Sequence, residues 1–275
     1  MSIADRQRPV PGELVLDHVS HFVPDLDAAA RVLEKLGFRV TPTSVQMADG
    51  APVGASNRCV MLDEGYIEIL APTHDTPVAQ RMRERMARFI GVHLACFGTP
   101  DAESEHARLA AHGFEPQPLV NLQREVRGGT VRFKVARPSP DSMPEGRVQY
   151  VEHLSPELIW RPEYLEHTNG VVGLSAVYVA ADDAPRAAAR WARFSGLLPR
   201  RDCDLVRLDC ARGTVFFGRA EPAPALAGYA LSCRDPDAFL ARCRKAGLEV
   251  RRQAVMLPPV LGGAWHIVPN SGSGS

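Results

Sequence analysis

One order of segments occurs four times in these 275 residues, and it constrains the fold more than any other feature. An alternating apolar stretch is followed by an Asp, an Ala-rich amphipathic segment, a Gly and then short strand-like runs. The first copy is Leu14-Val23, then Asp25 to Leu36, closed by Gly37. The second is Phe89-Phe97, then Asp101 to His112, closed by Gly113. The third is Val171-Ala180, then Asp183 to Ser195, closed by Gly196, and the fourth is Leu226-Cys233, then Asp235 to Ala246, closed by Gly247. Asp is a good helix N-cap because its carboxylate accepts a free backbone N–H and favours the positive end of the helix. Gly suits the left-handed residue that closes a helix. After each Gly the apolar spacing becomes strand-like, as in Phe38-Arg39-Val40 or Leu248-Glu249-Val250. The spacing therefore predicts a strand–helix–strand–strand–strand unit repeated four times, an α+β chain of paired modules. Residues 10–154 and 171–270 form two paired-module domains in this reading, with 155–170 as connector and 271–275 as a flexible Ser-Gly tail.

Composition narrows the class. Thirty-two basic and 32 acidic residues cancel, so no electrostatic footprint for nucleic acid is present. The Arg81-Met82-Arg83-Glu84-Arg85 run reads as a solvated helix face. No apolar stretch approaches the roughly 18 residues of a membrane span, and Ser2 to Arg8 do not resemble a secretion signal, so a cytoplasmic protein without membrane partner is expected. The six cysteines show no C-x-x-C pairing and are expected to be reduced thiols, several of them buried. Gly128-Gly129 reads as a hairpin turn and Trp160 as packing for the connector.

Strand parity selects candidate site residues. Leu14, Leu16, His18, Ser20 and Phe22 share one face, while His21 points the other way. Tyr66, Glu68 and Leu70 share a face. In the second module His93 lies with Gly91, Ala95 and Phe97, and Glu152 lies with Val148, Tyr150 and Leu154, leaving His153 outside. The halves match: His18 is followed by Glu68 fifty residues on, and His93 by Glu152 fifty-nine on, each acid within a Tyr-(Ile/Val)-Glu run. A carboxylate in an apolar strand is costly to bury unless a cation neutralises it. Two acids and two in-phase histidines make a mixed set suited to one divalent metal ion, Fe²⁺, Ni²⁺, Co²⁺, Mn²⁺ or Zn²⁺. Copies three and four lack such a set, and His266 stands alone. Tyr66, Tyr150 and Phe22 are expected to line the substrate bowl; Arg58 is a further candidate whose parity is open. His74, His106, His112 and His167 read as surface residues.

The opening Leu16-Asp17-His18-Val19-Ser20-His21-Phe22-Val23-Pro24-Asp25-Leu26 resembles the first strand of glyoxalase-like domains. The run Glu152-His153-Leu154-Ser155-Pro156-Glu157-Leu158-Ile159-Trp160-Arg161-Pro162 is similar to the connector of bacterial glyoxalase-like proteins. The resemblance, strongest over 14–219, is to the vicinal oxygen chelate superfamily of glyoxalases, bleomycin-resistance proteins and extradiol dioxygenases. It implies four βαβββ modules pairing into two curved mixed sheets around a metal, the glyoxalase/bleomycin resistance/dihydroxybiphenyl dioxygenase fold. It also implies His18, Glu68, His93 and Glu152 as metal ligands, the arrangement of glyoxalase I-like enzymes.

An open-sided metal with these ligands stabilises an enediolate as a Lewis acid, while a Glu leaving the metal acts as base. The expected function is a metal-dependent lyase, isomerase or epimerase of a small oxygen-chelating substrate, with Glu152 as base and Glu68 a close second. Two alternatives stay open: an Fe²⁺-dependent ring-cleaving or other dioxygenase, and a non-catalytic binder of the antibiotic-sequestering kind. A small-molecule partner and a monomer or homodimer are expected.

Overall fold

All four Asp-to-Gly segments fold as capped helices in the computed structural model, which describes residues 2–48, 50–219 and 224–270. The expected tail, 271–275, lies outside the described residues. A short helix α1 (Ile3–Arg6) precedes the first module, which runs β1 (Val15–Phe22), α2 (Leu26–Lys35), β2 (Ser44–Ala48), β3 (Ala51–Met61) and β4 (Tyr66–Pro72). Helix α3 (Pro77–Arg88) leads to the second: β5 (Gly91–Gly98), α4 (Ala102–Ala111), β6 (Gln117–Val126), β7 (Gly129–Arg137) and β8 (Arg147–His153). Beyond a connector carrying α5 (Pro162–Leu165), the third runs β9 (Val171–Ala180), α6 (Ala184–Ser195), β10 (Pro199–Asp202), β11 (Leu205–Asp209) and β12 (Thr214–Gly218). The fourth runs β13 (Ala225–Cys233), α7 (Pro236–Lys245), β14 (Val250–Arg251), β15 (Ala254–Met256) and β16 (Ala264–Pro269).

The caps explain where these helices begin. Asp25 accepts from the Asp27 and Ala28 N–H groups at 2.9 Å, and Asp101 does the same for Glu103 and Ser104. Asp183 and Asp235 cap α6 and α7 through Arg186 and Ala238. Gly37, Gly113, Gly196 and Gly247 follow their helices at φ of 74–89°, the left-handed region that favours glycine.

Both module pairs join their strands in one order, but only the first closes. Strands β1-β4-β3-β2-β6-β7-β8-β5 form a closed barrel, whereas β10-β11-β12-β9-β13-β16-β15-β14 stay an open sheet. Strand length decides this. The barrel closes where β2 meets β6, Met47 opposite Gln123 and Ala48 opposite Leu122, on hairpins whose strands run to 11 and 10 residues. The outer strands of the second sheet have two to five residues and do not reach one another.

Two bulges modify the pairing of the central strands β1 and β5. Leu16 pairs with Phe97 and His18 with Cys96, leaving Asp17 as an extra residue. Ser20 pairs with Leu94 and His21 with Val92, leaving His93 extra in the facing strand. A bulge re-aims side chains and shifts the face of everything beyond it.

The open sheet covers one side of the barrel, so the barrel's outer face is apolar core there. Phe97 and Tyr150 pack outward against Trp191 and Phe194 of α6. At this junction His21 is fully buried, its Nδ1 donating to the Leu261 carbonyl at 2.9 Å and its Nε2 accepting from the Tyr229 hydroxyl at 3.0 Å. The next residue, Gly262 (φ 63°), lies so close to Ile90 that a Cβ would sit 1.8 Å from its carbonyl oxygen. Trp160 packs under the barrel with its indole donating to the Leu62 carbonyl, and β6 and β7 flank the 127–128 turn. All six cysteines are free, with Cys59, Cys96, Cys233 and Cys243 buried.

One surface expectation needs correction. The Arg81–Arg85 run lies on α3, but Met82 is buried and Arg81 and Arg85 turn toward a cavity at the barrel mouth. His106 and His167 also have structural roles: His106 donates to the Gln117 carbonyl, and His167 holds the Met61 carbonyl and the Arg39 N–H.

Candidate active site in the barrel

The barrel interior combines polar and apolar side chains. Its cavity, about 610 Å³ including the opening, is lined by His18, Gln46, Asn57, Tyr66, Glu68, Leu70, Leu94, Leu122, Gln123, Arg124, Phe133, Val135, Arg147, Gln149 and Val151. Leu122 and Arg124 share the inner face of β6, and Gln149 and Val151 share that of β8.

His18 is the anchored member. The Asp17 bulge brings that carboxylate beside the ring, so His18 Nδ1 donates to Asp17 Oδ1 at 2.6 Å, and His153 Nε2 donates to the other oxygen at 2.9 Å. Tyr66 stacks on the His18 ring at 4.3 Å between centroids. Asp17 is fully buried; burial would raise its carboxyl, but His153 and His18 outweigh that and hold it far below the carboxylate range. Burial opposes a charge on His18 as well, yet the Cys96 sulfur and the Asp17 carboxylate beside it raise the imidazole well above 6.5. Burial pushes Cys96 up, against the neighbouring His18 imidazole, which draws it down.

Glu68 sits one step along β4. It accepts from the Ser20 hydroxyl on Oε2, and from the Asn57 amide at 2.5 Å and the Gln46 amide at 3.3 Å on Oε1. A carboxylate offers about four lone pairs, so one stays free. Asn57 links Glu68 to Arg124, whose Nη1 donates to the Asn57 carbonyl at 3.1 Å and whose guanidinium lies over Phe133. Arg147 also lines the cavity and has no hydrogen-bond or ion-pair partner among the described residues. Burial and the Arg137 guanidinium pull it down to about 9, which leaves it charged at neutral pH. Three further polar atoms of the site are buried without partners, Arg124 Nε, Gln149 Oε1 and His153 Nδ1.

The four expected ligands do not converge. His18 and Glu68 face the same cavity, as parity predicts. His93 is a bulge residue; its ring is sandwiched between Phe22 and Phe89, and its Nε2 donates to the Phe89 carbonyl at 2.9 Å. Glu152 lies on the outer face, where it accepts the Ala102 N–H at 3.1 Å at the start of α4. The parity of β8 is opposite to that expected: Gln149, Val151 and His153 point inward, because the outer face at Tyr150 is covered by α6 and takes the aromatic ring. Tyr150 therefore does not line the bowl; its hydroxyl donates to the Phe194 carbonyl and accepts from Arg108. Arg58 is also outside, paired with Asp27 and Glu34 of α2. Phe22 lines the cavity at the mouth, and Tyr66 lines the interior one. Asp17, Arg124, Arg147 and Gln149 escaped the sequence reading. Arg124 is flanked by Gln123 and Glu125, and Arg147 opens β8 after Gly146, so no apolar alternation marks either residue.

A sequence profile for the glyoxalase-like domain matches residues 16–195. The chain belongs to the glyoxalase-like domain family. No curated protein sequence matches it. Solved structures similar to this glyoxalase-like protein share its fold at low identity. A hypothetical protein from Staphylococcus aureus is 12% identical with a TM-score of 0.69, over 93% of this chain and 99% of that one. A 4-hydroxymandelate synthase mutant from Streptomyces coelicolor is 13% identical with a TM-score of 0.58, over 96% and 94%. A Mn(II)-bound glyoxalase from Novosphingobium aromaticivorans is 10% identical with a TM-score of 0.58, over 92% and 81%. These bear out the expected α+β fold of βαβββ modules, with the first pair closed further than two curved sheets imply.

Metal-type donors do gather in this glyoxalase-like protein: one ligand atom each of Asp17, His18 and Cys96 lies within 4.8 Å of the others, all three residues buried. As they stand, the Asp17–His18 pair is hydrogen-bonded rather than spaced as two ligands of one ion. His18 Nδ1 and Asp17 Oδ1 are 2.6 Å apart, a hydrogen-bond distance, whereas two tetrahedral ligands with ~2.1 Å bonds stand about 3.4 Å apart. The paired-module positions fit no better: Leu94 and Gln149 face the cavity from β5 and β8, and two guanidiniums share the space with the single carboxylate.

Proposed function

We propose that this chain is an enzyme of the lyase or isomerase kind that moves a proton at a carbon next to a carbonyl in a small anionic, oxygen-bearing substrate. The observation that carries the reading is that His18, Glu68, Arg124 and Arg147 line one cavity inside a closed barrel. Arg124 and Arg147 take the substrate carboxylate, a match for their planar forks. The His18 imidazolium, held charged and oriented by Asp17, donates to the substrate oxygen on which negative charge develops. Glu68, anchored by Ser20, Asn57 and Gln46, accepts the carbon-bound proton on its free lone pair. Leu70, Leu94, Phe133 and Val151 exclude water around these groups and strengthen each electrostatic contact. Glu68 replaces Glu152 as the base.

The test is solvent deuterium exchange into small 2-hydroxy and 2-oxo acids, followed by NMR. Glu68→Gln is expected to slow exchange by about 100-fold or more, and His18→Gln by a comparable factor. Undiminished exchange in both variants contradicts the assignment. A second reading, a divalent ion (Fe²⁺, Ni²⁺, Co²⁺, Mn²⁺ or Zn²⁺) serving the same enolate chemistry or an oxygenase, is favoured by the gathering of Asp17, His18 and Cys96. Metal analysis of the native protein decides it: stoichiometric metal lost in His18→Ala supports the ion, and full exchange activity after chelation supports the metal-independent reading.

A further inference from the structure

At the mouth of the barrel a second cavity is lined by Arg81, Arg85, Arg137 and Arg147 together with Gln117, Ser139 and the apolar Phe22, Val78, Met82, Met143 and Val148. No acidic side chain lines it. Among the described residues none of the four guanidiniums forms an ion pair or a side-chain hydrogen bond, and the buried Arg137 Nε has no partner. Other arginines of this chain do find acids: Arg58, Arg83, Arg108, Arg161 and Arg190 all sit in ion pairs. Asp141 is the one acid felt by Arg85, against Arg81 and Arg88 of the same sign. Four like charges drawn into one half-buried cavity repel one another, and they persist at a cost that an anion would offset. Arg147 lines this cavity and the interior one alike, so the two are neighbours on either side of its side chain.

We propose that the arginine cavity is an anion subsite, which holds a multiply charged oxyanion, a phosphate ester or a second carboxylate, at the far end of the substrate. The reacting end of the same molecule passes Arg147 to reach His18 and Glu68. This rests on the reading of His18 and Glu68 as the reacting groups and narrows it to substrates with a multivalent anionic handle. Arg85 and Arg137 clamp the handle from α3 and β7, Gln117 and Ser139 add neutral donors, and Arg81 closes the rim. Planar guanidiniums suit such an oxyanion because each offers two parallel N–H donors.

The experiment is thermal unfolding of the full chain in sodium pyrophosphate and in sodium succinate, each against sodium chloride at matched ionic strength. The variants are Arg85→Gln, Arg137→Gln, the double variant, and the rim variant Arg81→Gln. Wild type is expected to gain stability from an oxyanion beyond the chloride control. Titration calorimetry should show its affinity weakened by about tenfold in each inner variant and by a few-fold in Arg81→Gln. In chloride alone the inner variants are expected to melt no lower than wild type, because each removes a repelling charge. Response to pyrophosphate alone marks a phosphate handle, and response to succinate as well marks a dicarboxylate. No specific shift in wild type, or an undiminished shift in the double variant or in Arg81→Gln, overturns the subsite. His18→Gln is expected to bind the oxyanion as wild type does. Failure of the subsite therefore leaves the His18–Glu68 reading to the exchange test, and failure of exchange leaves the subsite to this one.

Discussion

Asp17 and Glu152 show how one residue's place in a ladder decides what its charge does. Asp17 is an extra residue in β1, turned inward by its bulge, and both its oxygens serve histidines. Glu152 looks from its sequence like the matching acid of Glu68, but it lies across the strand from the cavity and accepts the first free N–H of α4. A carboxylate at a helix N-terminus contributes a fraction of a kcal/mol, so Glu152→Gln is expected to cost less than about 1 kcal/mol in urea unfolding and to leave deuterium exchange unchanged. Loss of exchange in that variant would return Glu152 to the chemistry. Glu68 was legible from alternation because no bulge interrupts β4; His18 was legible although the Asp17 bulge beside it parts it from the face of Leu16. His93 was not, since an extra residue leaves no mark in the apolar pattern. The parity of β8 was illegible for a different reason: its outside is covered at Tyr150 by α6 of the other half, so the aromatic ring points outward and the Gln149 amide inward.

Among elements, the helices were the most legible. Asp at the start and Gly at the end satisfy free backbone groups locally, so all four helices follow from the chain itself. The central strands β1, β5, β9 and β13 follow for a similar reason, as long alternating runs placed before each cap. What depended on distant partners was hidden. The β2–β6 contact that closes the barrel joins residues far apart in sequence, and nothing in either strand alone specifies it. The role of α3 was hidden too: an Arg-rich helix reads as solvated, and only the course of β7 and β8 shows that Arg85 faces Arg137 and Arg147 across a cavity. The closed barrel matters chemically, because an open sheet like that of the second half would leave Glu68 and its partners in water, where hydrogen bonds and charges act weakly.

The two halves are held by groups that titrate. Burial lowers His21, at the junction with Leu261 and Tyr229, to about 4, and lowers His93, between two phenylalanine rings, to about 4. Both are neutral in the folded chain and take a proton more readily once unfolded. Their contribution is therefore complete above about 6.5 and is lost as pH falls toward about 4. Each is expected to cost on the order of 2 kcal/mol between about pH 7 and pH 5. Urea unfolding at the two pH values checks this, and His21→Gln should flatten part of the slope. A stability that is unchanged over that range would show that these histidines do not sense unfolding. His18 works in the opposite sense: its raised value stabilises the fold at low pH, and that contribution fades as pH rises through the folded value. The proposed chemistry depends on this imidazolium more than on any other group. The direct test is an NMR titration of the His18 ring from about pH 5 to about pH 9 in wild type and in Asp17→Asn. Wild-type His18 is expected to stay protonated well above pH 6.5, and the Asn variant to lose its proton at a lower pH than wild type. A ring that titrates near 6.5 in both proteins would contradict the account.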